Sequence, residues 1–450
     1  RKENVFRSRA DEFSGLSGKK GSKLMTIGLF LAYAIPITFL VVLLLGSVFS
    51  LAFVQRYLPD LLLAYLAIHF VFPGSVWGAE ELSRPIYSRG SGQLFLSFVN
   101  WSLIGFYLIS VFVDRWRNQP APVMTLRPYF MLFNIMFLGH VLVANYLDVP
   151  FRNSAGGGGI LYVTMMTILV LLMGRTIREP KDLDRLGKGF LLAILGHGLF
   201  GLVRFAFFGG DPVNPYENYE RLSVKLVFFD INDSLLATMA MVYALWKLGW
   251  SKGMANREKA FYWLVVMVEV AVVLFSYRRT GWLGMGIALT VIMWFLPRAM
   301  RWLMAAAVSL AIPVILLLNR ERFSSGGGTS EYMGLVHSLT GQTIESGTRS
   351  AEWAMALDTI RNHVFLGAGS WGELGQGIIT WHFGAYNFVH SAILHLWMKA
   401  GLLGLGLFLA AMLAWVVFLI RLMRTQSREN LALAVVGMAG VLFMIPSFVA

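Results

Sequence analysis

The chain has 450 residues, of which 57% are hydrophobic and only 14% charged, with a mean hydropathy of +0.63; a soluble domain carries roughly 25% charge. It has no cysteine, which excludes disulfides, thiolate metal sites and cysteine catalysis. The net charge of +13 would suggest nucleic acid in a soluble protein, but here Lys and Arg sit in short loops between apolar runs, so the positive-inside rule accounts for them and no nucleic acid is expected.

The apolar runs are continuous rather than alternating, which argues for helices and against barrel strands. The expected fold is an all-α polytopic membrane protein with about 11–12 transmembrane helices and one long loop. Residues 1–23, with Arg1, Lys2, Arg7, Arg9, Lys19, Lys20 and Lys23, read as a basic cytoplasmic tail rather than a cleavable signal. Residues 24–318 read as a transmembrane bundle, 319–386 as the long loop, and 387–450 as C-terminal transmembrane helices.

Within the bundle, runs fall at 25–54, 61–72, 94–113, 128–146, 159–174, 189–208, 228–246, 260–277, 281–297 and 302–318. Apolar sequence resumes at 387–420 and 431–449. The loops with Arg115–Arg127, Arg175–Lys188, Lys247–Lys259, Arg298–Arg301 and Arg421–Arg428 alternate consistently and are placed in the cytoplasm. The loops 147–158, 209–227 and 319–386, and the turn Tyr277–Thr280, are then external. A cytoplasmic tail needs an even number of crossings before 114–127, and three runs precede it. Either 25–54 folds back near Pro36 or 61–72 does not cross.

The external side gathers the residues that could carry chemistry. Asp211–Lys225 reads DPVNPYENYERLSVK, with Arg221 and Lys225 in it, and leads to Asp230, Asn232 and Asp233 at the start of a span. Arg278 and Arg279 sit in the turn SYRRTGW between two apolar runs, against the positive-inside rule. Charge at membrane depth is expensive and is commonly kept for ions or substrates, and guanidinium is a natural clamp for phosphate. Arg278, Arg279 and Arg221 therefore form a candidate anion site; the alternative is that they snorkel to lipid phosphates.

In the long loop, Arg349 opens a segment in which Trp353, Leu357, Ile360 and Val364 recur at helical spacing, so an amphipathic helix lies on the membrane surface or caps a cavity. The stretch GAGSWG at 367–372 matches GxGxxG, but no strand precedes it, so it is a turn and not a dinucleotide site. A lone His390 stands where the chain re-enters apolar sequence. Lys399 and Gly401 interrupt the run 387–420, which predicts a broken helix. Glu269 lies inside a span, as a proton-coupling residue or as the partner of an Arg in the bundle. Acidic residues and His show no metal-ligand spacing.

With these residues in place, the chain resembles the O-antigen ligase / O-antigen polymerase superfamily of bacterial inner-membrane glycosyltransferases. The motifs are GTRSAEWAMALDTIRNHVFLGAGS in the long loop, FVHSAILHLWMKAGLLGLGLF after it, SYRRTGW, and FFDINDSLLA preceded by Arg221. They cover about Asn218–Ile420. Two positions depart from the family pattern: its Asn-Pro-Asn is Asp-Ile-Asn here, and its His-Asn is His390-Ser391.

The resemblance implies a GT-C-like fold and a transferase without cofactor or metal, embedded in the inner membrane among its lipids with the active site facing the periplasm. The donor would be an undecaprenyl-diphosphate-linked glycan, and the acceptor either lipid A–core, as in a ligase, or a second lipid-linked repeat unit, as in a polymerase. It puts Arg279 and Arg221 on the diphosphate, with Arg278 competing for Arg279's place, His390 on the acceptor hydroxyl and Arg349 in closing the loop; Lys225 and Asp233 are further substrate-binding candidates. A flippase of lipid-linked oligosaccharide is the competing reading. It predicts two related halves and polar residues spread along the bundle; the chain shows no internal repeat, and its candidate charges gather on one face.

Overall fold

The computed structural model describes residue 38 and residues 57–63, 98–120, 125–155, 159–177, 179–211, 225–228, 230–318, 349–372, 389 and 391–449. Among these the chain is helical and has no strand. In chain order the helices are α1 (Phe98–Trp116), α2 (Arg127–Tyr146), α3 (Phe151–Ala155), α4 (Ile160–Thr176), α5 (Pro180–Phe207), α6 (Ile231–Trp250), α7 (Asn256–Phe275), α8 (Arg279–Met293), α9 (Arg298–Leu318), α10 (Arg349–Asn362), α11 (Ala392–Thr425) and α12 (Ala432–Val449). Three described helical stretches are long and apolar enough to cross a membrane: Arg127–Tyr146, Lys181–Phe207 and Ala392–Thr425. Large apolar side chains such as Leu132, Ile135, Leu142, Leu403 and Leu413 are exposed along two of them, as lipid-facing positions should be. The chain is an all-α polytopic membrane protein.

The chain divides into two units. The first holds residues up to 122 together with 168–176. In it, Ile109 and Val113 of α1 are buried, and the Arg175 guanidinium donates to the Asp114 carboxylate at 2.5 Å. The same guanidinium lies 5.7 Å from the Tyr107 ring centroid. Both charged side chains are largely buried, which such a pair tolerates because each charge is compensated by the other.

The second unit holds 123–167 and 177–450. Its core is α6, which packs against α5, α7, α8 and α12. The sequence explains why α6 is central. Its buried positions include Ser234, Ala237, Thr238, Ala240 and Ala244, small residues that let neighbouring helices approach closely where lipid provides no hydrophobic drive. Thr238 returns its hydroxyl to the Ser234 carbonyl at 2.8 Å, so the buried polar atom is satisfied within the helix.

At one end of this unit the basic loop residues meet. Asp184 of α5 accepts from Lys247 of α6 at 2.9 Å, and Lys188 bridges to Glu258 of α7 at 3.1 Å. The Trp246 indole donates to the Arg428 carbonyl at 2.7 Å, and Arg428 reaches the Phe295 carbonyl at 3.3 Å. Within this unit, residues 184–188, 247–258, 295 and 428 are thus at one end of the helices. At the other end, α5 and α7 finish while α6 and α8 begin.

α11 has 34 residues, about 51 Å at 1.5 Å per residue, well beyond the roughly 30 Å apolar core of a bilayer. It does not run straight. Gly401 has φ 66° and ψ −172°, and breaks it. The interruption expected from Lys399 and Gly401 is therefore real, and its position is the glycine.

Candidate functional site

Two groups of residues make up the candidate site, both in the second unit. The first is built on the break in α11. A break frees the carbonyls before it and the amides after it. Here the turn following α10 takes up all four: Ala368 and Gly369 donate to the Met398 and Lys399 carbonyls at 2.7 and 3.1 Å, and Leu402 and Leu403 donate to the Val364 and Phe365 carbonyls at 2.9 and 3.2 Å. Gly367 lies at φ 75° with its α-carbon packed on the Lys399–Gly401 backbone, and a Cβ on Gly401 would overlap the Phe365 carbonyl. Only glycine fits at both places.

Side chains reinforce this joint. The buried Lys399 ammonium donates to the Ser370 carbonyl at 3.0 Å and to the Gly372 carbonyl. Trp397 donates its indole N–H to Val364 at 3.1 Å. Ala356 and Ile360 of α10 pack with Val389 and Met398, flanked by Met355, Leu394 and Trp397. The turn is also held from outside: the Ser370 hydroxyl donates to the Ser154 carbonyl at 2.5 Å, and the His140 ring lies 3.2 Å from the Leu366 carbonyl. So α10, the glycine turn and the first turns of α11 form one assembly. The amphipathic face differs from the expected one by a residue: Leu357 is exposed and Ala356 buried.

The second group lies where α5 and α7 finish. The face of α5 carries His197, Gly201 and Arg204 at helical spacing. Gly201 leaves a slot that the Phe228 ring fills. His197 stacks on that ring, 4.1 Å between centroids and 9° from parallel, and Arg204 lies 5.2 Å from it. Arg204 also donates to the Val227 carbonyl at 2.7 Å and faces Asp211 at 3.5 Å. Further bonds from Asp211 N to Leu226 O, 2.8 Å, and from Val227 N to Phe275 O, 3.1 Å, clamp residues 226–228 between the ends of α5 and α7.

Just beyond, Asp230 caps α6 by accepting from Asn232 N at 3.0 Å. Asp233, in the first turn, accepts from His197 Nε2 at 3.0 Å. The next residue, Ser234, touches the arginine turn: its hydroxyl is 3.4 Å from that of Ser276, which in turn faces Arg278 N at 3.4 Å. Tyr277 adopts φ 51°, which turns the chain sharply enough for α8 to start at Arg279. Trp282 closes the hairpin by donating to the Val273 carbonyl at 2.9 Å.

The sequence candidates are therefore placed as follows. Asp233 and the half-buried Arg278 stand on neighbouring elements joined through Ser234 and Ser276, and Lys225 is exposed at the start of the clamped segment. Arg279 and Arg349 are placed by the backbone, each as the first residue of its helix. Arg221 and His390 lie outside the described residues; Val389 and Ser391, on either side of the latter, are described, and Ser391 caps α11. Glu269 is buried beside Gly198, and its Oε1 has no hydrogen-bond partner among the described residues. Neither Arg204 nor His197 was singled out by sequence. Their signal was available: two polar residues seven positions apart inside an apolar run, on one helical face with a glycine between them.

Residues 260–409 match the family model described as O-antigen ligase. No curated protein matches the chain. The O-antigen ligase match runs from α7 through the arginine turn, α9 and α10 into α11, so it contains both the hairpin and the α10–α11 joint. It supports the superfamily resemblance read from the motifs, and with it a glycosyltransferase-type enzyme of O-antigen assembly that handles lipid-linked glycan in a bacterial membrane.

Proposed function

We propose that this protein transfers a glycan from an undecaprenyl-diphosphate-linked donor to a sugar hydroxyl at the periplasmic face of the inner membrane. The acceptor is lipid A–core or a second lipid-linked repeat unit. The observation that carries this reading is the O-antigen ligase match over 260–409, which spans Arg278, Arg279, Arg349 and His390.

The acceptor oxygen attacks C1 of the donor sugar. The bond from C1 to the diphosphate oxygen breaks, its electron pair stays on the diphosphate, and the hydroxyl proton passes to His390. The barrier is set mainly by charge developing on the leaving group. Arg279 and Arg221, with Arg278 beside the turn, supply fixed positive charge there without a metal. Lys225 adds to that field, Arg349 helps to close residues 319–386 over the site, and Asp233 contacts substrate. On this reading residues 1–23 are a cytoplasmic tail, 24–318 and 387–450 are the membrane-embedded parts, and 319–386 is the long periplasmic loop.

The test is transfer by purified protein given a lipid-linked oligosaccharide and, in parallel, lipid A–core or a second lipid-linked unit. The reading expects a lengthened or transferred glycan and released undecaprenyl diphosphate. It expects Arg279→Ala and His390→Ala to abolish both while insertion is unchanged. Full activity in both variants would overturn the assignment of the site.

A further inference from the structure

We propose that His197 is a positioning residue that aims Asp233 at a hydroxyl of the acceptor sugar. The inference rests on the transferase reading above and names a further residue for it.

The geometry starts from one hydrogen bond. His197 Nε2 and Asp233 Oδ1 are 3.0 Å apart, with side chains 4% and 11% exposed. The imidazole is held in its plane by the stack on Phe228. His197 Nδ1 is buried and has no partner among the described residues. A buried lone pair is tolerated more readily than a buried, unpaired N–H. The ring is therefore in the tautomer that carries its proton on Nε2 and donates to the carboxylate, while Nδ1 faces inward as an acceptor.

That bond uses one oxygen of Asp233. The side chain keeps its residual exposure at the first turn of α6, next to the exposed Asn232 and three residues from the exposed Asp230 that caps the helix. Sugars are recognised by acceptor groups fixed in direction, and a carboxylate held by a second bond presents its remaining oxygen in one orientation. The position also suits an acceptor rather than a diphosphate, because Asp233, with Asp211 and Asp230 near it, would repel an anion, while Arg278 belongs to the next turn, reached through the Ser234–Ser276 contact. Asp233 and Arg278 thus divide the site by charge: hydroxyl on the acid, phosphate on the arginine turn.

Two substitutions separate the roles of the ring. His197→Phe keeps the stack on Phe228 and removes the donor. His197→Gln keeps a donor near the Nε2 position and removes the stack. Steady-state transfer is measured while the acceptor and the lipid-linked donor are varied separately, with the unfolding midpoint of each variant in detergent. The inference expects His197→Phe to raise the acceptor KM by about tenfold or more, to leave the donor KM within about twofold, and to fold normally. Asp233→Ala should do the same, the double variant should add nothing, and His197→Gln should recover most of the acceptor affinity. An unchanged acceptor KM in His197→Phe overturns it. So does an equal loss for donor and acceptor, or a failure of His197→Gln to recover if His197→Phe does not fold. A wild-type protein without transfer activity overturns the transferase reading instead, so the two failures are distinguishable.

Discussion

The ammonium of Lys399 donates to the carbonyl oxygen of Ser370 at 3.0 Å, and both groups are buried. The bond crosses from the broken helix α11 to the turn that follows α10. It comes with four main-chain bonds across the Gly401 break, so the turn is fastened along its length rather than at one point.

Replacing Lys399 by Met keeps the length of the side chain and leaves two buried carbonyls without their donor. The expected loss is about 1–3 kcal/mol. It should appear as a lower unfolding midpoint in detergent and faster proteolysis within 349–372. Replacing Lys399 by Arg should recover part of it.

Gly401→Ala is expected to be worse. The φ 66°, ψ −172° conformation is essentially reserved for glycine, and the added Cβ would overlap the Phe365 carbonyl. A loss of about 3 kcal/mol or more is expected. The control is Gly406→Ala, where a Cβ meets nothing within 4 Å; there the unfolding midpoint should hardly move.

Gly201→Val tests the slot on α5. Its side chain would occupy the space of the Phe228 ring, and overpacking of this kind costs about 1–3 kcal/mol. The pair Gly201→Val and Phe228→Ala should be less destabilised than the sum of the single variants, since each removes the other's clash or void. A strictly additive double-mutant cycle would argue against the slot.

In the first unit, Arg175→Ala leaves the Asp114 carboxylate buried without its guanidinium. About 3–5 kcal/mol of destabilisation is expected. Arg175→Met with Asp114→Leu should regain most of it, because two apolar side chains of similar volume carry no charge to bury. Thermal unfolding of the two variants beside the unsubstituted protein decides the matter.

Much of the fold could be read from the sequence because lipid imposes simple requirements. The continuous runs predicted helices, and the interruption at Lys399 and Gly401 predicted a broken one. Helical spacing located α10 but not Ala356, which packs into the joint while Leu357 stays exposed, because hydrophobicity marks Leu before Ala while a close joint favours the smaller residue. The candidate site was legible in part. Arg278 and Asp233 stood out as charges at the edges of spans. His197 and Arg204 did not, because their partners Asp233 and Phe228 come from other segments of chain, and no local pattern records a contact made only on folding. For Glu269 the sequence indicated a buried carboxylate, and nothing in its own helix indicates what stands opposite.

The joint at Gly401 has a consequence for how such a protein can change. Its four bonds run from main chain to main chain, and they ask for glycine at three positions, Gly367, Gly369 and Gly401, all at positive φ. Outside the side chains that reinforce it, Lys399, Trp397 and the packed Ala356 and Ile360, residues around the seam can vary while it stays closed. Substitutions on the outward surfaces of α10 and the start of α11 can therefore accumulate one at a time while the joint on which they are mounted is kept.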